Sequence, residues 1–188
     1  MLACRLALPA LFCLALAAPA AAQDAPAPGA APEAYLKEEF GDWDLICAVA
    51  NVNGAEEERC QIAQLLRDGE DTTVAEVRVL RLPEGERGAA IATVTTPLGT
   101  LLPPGLALAV DGGEPAVYPF SFCSQRGCVS RIGLTAEDVL ALQRGARATL
   151  TMIPVATPDS PVTLDVSLTG FTAGYQNVTI VERDEINN

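Results

Sequence analysis

"GDWDLICAVANVNGAEEERCQIAQLL", residues 41–66, decides the fold. In an extended chain Trp43, Leu45, Cys47 and Val49 share one face and Asp42 and Asp44 the other. That period of two marks a strand with one side in a core and one in water. "NVNGAEEE" supplies a turn, with Glu56, Glu57 and Glu58 read as solvated loop carboxylates, and "CQIAQLL" returns. A bridge between Cys47 and Cys60 would then join neighbouring strands across a hairpin.

Outward from this hairpin the same pattern repeats. "TTVAEVRVLRL" sets Ala75, Val77 and Val79 against Glu76 and Arg78, and "AAIATVTT" ends at Pro97. "GLALAV", "PAVYPFSF", "VSRI", "ATLTMIPV" and "PVTLDVSLTGF" follow, separated by turn signals such as "DGG" at 111–113 and "ATPDS". Strands at this spacing, eight or nine of them, describe an all-β domain. One helix interrupts them. In "LTAEDVLALQRGA" Thr135 is the N-cap with Asp138 three residues on, Val139, Leu140 and Leu142 give apolar contacts, and Gly145 suits the C-terminal cap. A parallel βαβ arrangement needs a helix after most strands. The expected fold is therefore an antiparallel β-sandwich, immunoglobulin-like, with one short helix between strands.

The chain opens "MLACRLALPALFCLALAAPAAAQ". Arg5, an apolar run from Leu6 to Ala17, and the small residues Ala20-Ala21-Ala22 compose a secretory signal cut before Gln23. Pro9 and Pro19 and a run short of about 20 residues argue against a membrane span. Residues 1–22 are thus read as a signal peptide, 23–36 as a disordered Pro/Ala-rich lead-in, 37–181 as the domain and 182–188 as an acidic tail. Of 188 residues 166 remain after cleavage, enough for one domain burying roughly 70% of its unfolded surface.

Cleavage removes Cys4 and Cys13 and leaves Cys47, Cys60, Cys123 and Cys128. An even count in an exported chain reads as disulfides, and of the three possible pairings the spacing favours Cys47 with Cys60 and Cys123 with Cys128. Zinc knuckles need Cys-x-x-Cys or histidine partners, and this chain has no histidine. A redox-active pair wants Cys-x-x-Cys at a helix start. "FCSQRGCVS", residues 122–130, has neither feature, so it reads as a stapled turn. Loop closure gives about 3 kcal/mol for the longer bridge and about 2 kcal/mol for the shorter.

Chemistry elsewhere is sparse. Without histidine the Ser-His-Asp and Cys-His routes to an activated nucleophile are closed. No Gly-x-Ser-x-Gly elbow and no phosphate-cradling glycine loop is present. Asp111 and Glu114 flank a Gly-Gly turn without the spacing of an EF-hand. No catalytic residue, cofactor or metal site is assigned. The net charge of −12 becomes −13 once Arg5 is cleaved off, which repels nucleic acid and anionic headgroups. One apolar stretch, "PLGTLLPPGLALAV", stands out as a candidate interaction edge at Leu101, Leu102, Pro103 and Pro104, because two prolines cannot donate to a central ladder.

"FGDWDLIC", "PLGTLLPPGLALAVDGG", "YPFSFCSQRGCVSRI", "LQRGARATLTM" and "VTLDVSLTGF", in this order, resemble the invasion-associated locus B family over about Phe40 to Tyr175. The resemblance implies an exported bacterial protein with a β-sandwich fold. It also implies the four cysteines, with Trp43, Gly105, Gly127, Gly170 and Phe171 as framework, and it brings no catalytic residues. The family's founding member is linked to host-cell invasion, while many members come from bacteria with no known host. The expected function is a non-enzymatic interaction or envelope accessory module, periplasmic or surface-associated, with an unknown protein partner in the envelope or on a host cell. The alternative is a periplasmic hydrolase or thiol–disulfide enzyme.

Overall fold

The structure is a computed structural model that describes residues 33–52, 54–83 and 88–181. The chain first runs back and forth through β1 (Ala34–Phe40), β2 (Trp43–Val52), β3 (Ala55–Arg67), β4 (Thr73–Arg81) and β5 (Ala90–Thr96). It then forms β6 (Leu106–Val110), β7 (Ala116–Tyr118), β8 (Phe120–Ser124) and β9 (Gly127–Leu134). Helix α1 (Ala136–Arg144), β10 (Arg147–Met152), β11 (Val162–Ser167) and α2 (Phe171–Gln176) complete it. Seven strands make one sheet in the order β1-β2-β3-β4-β5-β9-β8, and four make the other, β11-β10-β6-β7. All neighbouring strands within the sheets are antiparallel. The result is sandwich-like with open edges, as the period of two anticipates.

The core lies between the sheets. Trp43, Ile62, Val79, Val94 and Ile132 point inward from the large sheet, and Leu106, Ala148, Leu150 and Leu164 from the small one. Each Val, Leu or Ile among them contributes about 1.5–3 kcal/mol by leaving water. On β4 the alternation is as expected, with Ala75, Val77 and Val79 buried and Glu76 and Arg78 on the outer face. Trp43 meets Phe171 of α2 edge-on at 5.3 Å between centroids, and its indole N–H donates to the Ser167 carbonyl at 2.8 Å. The Gln64 carboxamide adds further polar bonds between β3 and β11.

Helix α1 forms where its signals lie: Thr135 and Asp138 make a reciprocal capping box, and the Gly145 N–H bonds the Ala141 carbonyl. Val139 and Leu142 are buried, but Leu140 faces solvent.

Several expectations need correction. The described residues hold eleven strands, because β1 was not anticipated and "PAVYPFSF" is two strands. Pro119 divides it: β7 belongs to the small sheet and β8 to the large, so the chain changes layers at a residue that lacks a ladder donor. Ala34, Tyr35 and Leu36, expected in the lead-in, lie in β1. Glu56, Glu57 and Glu58 are in β3 opposite Asn51, Ala50 and Val49, not in a loop. The turn is shorter than the acidic run suggested, since β2 continues to Val52 and β3 starts at Ala55. Val49, expected on the buried face with Trp43, Leu45 and Cys47, is instead 47% exposed. Finally, "PVTLDVSLTGF" leaves its strand at Ser167, and Phe171 opens a second helix. Burial of Phe171 on Trp43 outweighs its strand propensity. The signal peptide, residues 23–32 of the lead-in and the acidic tail fall outside the described residues.

Candidate functional site

The cysteines pair as their spacing favours. Cys47 stands directly opposite Cys60 on β2 and β3, with a Cα separation of 4.1 Å, and the two are bonded. Cys123 stands opposite Cys128 on β8 and β9, with a separation of 4.0 Å, and these are bonded too. Only Gln125 and Arg126 separate β8 from β9, so "CSQRGC" is a clamp across a two-residue turn. Both bridges staple the seven-stranded sheet. Cys47, Cys60 and Cys128 are buried, whereas Cys123 lies at the surface. The Glu58 carboxylate is close to the Cys47–Cys60 sulfurs, but bonded sulfurs present no thiolate to a metal.

Leu101, Leu102, Pro103 and Pro104 lie in the connection from β5 to β6, which carries the chain from the large sheet to the small one. Thr100 organises it, donating to the Pro97 carbonyl at 2.8 Å, while the Leu101 N–H bonds the Ile153 carbonyl at 2.7 Å. Leu101 is half-buried, and Leu102, Pro103 and Pro104 are exposed. Leu98, in the same loop, is more exposed than Leu102, at 61% against 40%. The candidate edge is therefore a pinned surface loop. Asp111, one of the carboxylates beside the Gly-Gly turn, accepts main-chain N–H bonds from Ala146 and Arg147, each at 3.0 Å. Its carboxylate thus joins the end of β6 to the start of β10.

On the edge hairpin Tyr35 and Lys37 of β1 both donate to Glu58 of β3. Those bonds hold the Glu58 carboxyl below the usual carboxylate range, with the Lys37 bond the larger cause and the Tyr35 bond next. Lys37 is raised by the same bond, and Tyr35 is raised by its bond to Glu58. All three are solvent-exposed, and they tie β1 to β3 across β2.

The outer face of the large sheet carries a cleft of about 770 Å³, which the sequence reading missed. Two adjacent cross-strand rows form its floor. One runs Leu65, Glu76, Thr95, Val129, Phe122, each residue opposite the next on β3, β4, β5, β9 and β8. The other sets Arg78 opposite Thr93 and Thr93 opposite Arg131. Arg126 on the stapled turn stands at its rim. Arg78 is paired with Glu76 at 2.8 Å, and the Arg131 guanidinium lies 5.6 Å from the Phe122 ring centroid. The only sequence signal for this site was the outward phase of "TTVAEVRVLRL"; the register that aligns five strands is not written in any one segment. Leu101, Leu102, Pro103 and Pro104 do not line the cleft.

These features define a disulfide-stapled, two-sheet β domain with an open cleft on the outside of its larger sheet. The chain belongs to the family described as Invasion associated locus B (IalB) protein, whose model matches residues 43–179. It is 26% identical over 145 residues to invasion protein B homologs of Brucella abortus strain 2308 and of Brucella abortus biovar 1 strain 9-941, covering 76% of this chain and 79% of each relative. In fold it is similar to the crystal structure of invasion associated protein b from Bartonella henselae. That similarity has a TM-score of 0.62 at 24% identity and covers 76% of this chain and 93% of that one. No helix among the described residues is long and apolar enough to cross a membrane.

Proposed function

We propose that this protein is an exported, non-enzymatic interaction module of the bacterial envelope, whose stapled sandwich presents fixed surfaces to a protein partner. The observation that carries the reading is the pair of bridges between directly opposed residues. Each rigidifies a hairpin whose outer side faces solvent, and stable bridges of this kind belong to oxidising compartments outside the cytosol. The leader-like opening of the chain supports export, and a sequence without histidine, which closes the Ser-His-Asp and Cys-His routes to an activated nucleophile, supports a non-enzymatic role. The names of the Brucella and Bartonella relatives connect them with invasion, and association with a host surface is one setting in which such a module would work. The loop at Leu101, Leu102, Pro103 and Pro104 is a second contact surface within this reading.

The test is a paired assay on the oxidised protein purified from the periplasm, measuring insulin reduction and hydrolysis across a glycan panel. The reading expects no turnover in either. Turnover abolished by Cys123→Ser, or by removing one carboxylate, would make the protein an enzyme.

A further inference from the structure

The cleft on the large sheet differs in charge from the chain that carries it. Three arginines, Arg78, Arg126 and Arg131, line it with one acid, Glu76, for a local charge of +2 on a chain of −12. Glu76 is already bonded to Arg78. Among the described residues neither Arg126 nor Arg131 is in an ion pair. An unpaired guanidinium beside apolar surface is a strong and directional carboxylate receptor. Arg131 is further held over the Phe122 ring, which limits its freedom before any ligand arrives.

We infer that this cleft is the docking groove for an extended acidic peptide segment of a protein partner, an inference that rests on the interaction-module reading above. Leu65 and Phe122 stand at the two ends of one cross-strand row and are 51% and 47% exposed. Four strand spacings separate them, roughly 19 Å, which an extended peptide spans with about six residues. Apolar side chains of such a segment cover Leu65 and Phe122, and carboxylates between them meet Arg131 and Arg126. Inorganic phosphate or a polyanionic glycan would satisfy the arginines but leave the apolar ends in water. An anionic bilayer is disfavoured by the field, because an extended surface would meet the charge of the whole chain, not the local +2.

The experiment displays a random library of peptides about eight residues long, enough to span the row, against the oxidised full chain purified from the periplasm. The expected result is enrichment of sequences that combine Asp or Glu with apolar residues. The Arg126→Glu/Arg131→Glu double variant should weaken the enriched peptides by about tenfold or more, as loss of two charge-assisted contacts implies. Arg144→Glu, on the exposed side of α1, should leave binding unchanged. Should the double variant fold poorly, salt gives the same answer on the unaltered chain, because raising it from about 0.05 to about 0.5 M screens surface charge and must weaken binding. Heparin and vesicles containing phosphatidylglycerol are run alongside. No acidic bias in the enriched pool, or binding indifferent to both the double variant and salt, overturns the inference. Binding of heparin or vesicles in place of peptides also overturns it, in favour of a glycan or a lipid. Insulin reduction by the same preparation would instead sink the module reading itself, which keeps the two failures apart.

Discussion

The Gln64 carboxamide on β3 and the main chain of Ser167 on β11 exchange two hydrogen bonds, N–H to Oε1 at 2.9 Å and Nε2 to carbonyl at 3.1 Å. The same Nε2 donates to the Asp42 carbonyl at 3.0 Å. Gln64 is thus a buried polar group at the margin of the core, fully engaged, and it ties the two sheets where no ladder can.

Gln64→Leu should lower unfolding stability by about 1–2 kcal/mol, because the Ser167 N–H and the Asp42 carbonyl lose their partner at a half-buried margin of the core that water can only partly make good. The Ser167 carbonyl keeps the Trp43 indole N–H, which limits the loss. Urea denaturation at an unchanged slope measures it. A cost below about 0.5 kcal/mol, the level of an ordinary surface change, would show that the network does not hold the sheets together.

Gly170 and Gly54 both have φ of +87°, yet they should respond differently to alanine. A Cβ at Gly54 would meet nothing within 4 Å, so Gly54→Ala pays only for the left-handed backbone, about 1 kcal/mol. A Cβ at Gly170 would fall 1.8 Å from the Phe40 carbonyl oxygen, and main chain must move to admit it. Gly170→Ala should therefore cost about 3 kcal/mol or more, or prevent folding. Equal thermal shifts for the two variants would contradict the packing described for the β1–α2 junction.

The bridges should differ in weight. Replacing Cys47 and Cys60 together by serine should cost about 3 kcal/mol, and Cys123 and Cys128 together about 2 kcal/mol, by loop closure alone. Chemical denaturation of each double variant beside the parent gives both numbers. The reverse order would mean that the stapled turn, not the β2–β3 hairpin, stabilises the large sheet.

The Glu58 carboxyl, held low chiefly by its bond to Lys37, should titrate closer to the ordinary range in Lys37→Ala. Its folded value lies below its unfolded one, so its contribution is present at neutral pH and is lost as pH falls through the depressed value. Lys37 is shifted upward, so its contribution is present at neutral pH and is lost only as pH rises through the raised value. Carboxyl carbon shifts followed by NMR across the acid range report Glu58 directly. No movement in the variant would show that the Lys37 bond is not formed in solution.

Much of the sandwich was legible because one period governs it. The inward phase of Ala75, Val77 and Val79, the capping box at Thr135 and Asp138, and the spacing of the four cysteines are all local signals, and all match the structure. What escaped depended on contacts between distant segments. Pro119 reads as an ordinary break in a strand, and only the sheet order shows that it moves the chain to the other layer. Phe171 carries strand propensity, but its burial against Trp43 draws it into a helix. The cleft was hidden for the same reason, since Leu65, Arg78, Arg126 and Arg131 meet only once five strands are in register.

The proposed role requires that this polypeptide cross the inner membrane and oxidise there. Non-reducing peptide mapping of the protein recovered from the periplasm of intact cells tests that most directly. The expected map contains one peptide pair joined through Cys47 and Cys60, a second joined through Cys123 and Cys128, and a chain beginning at Gln23. Four free thiols, or a chain retained in the cytosol with Met1 in place, would contradict it.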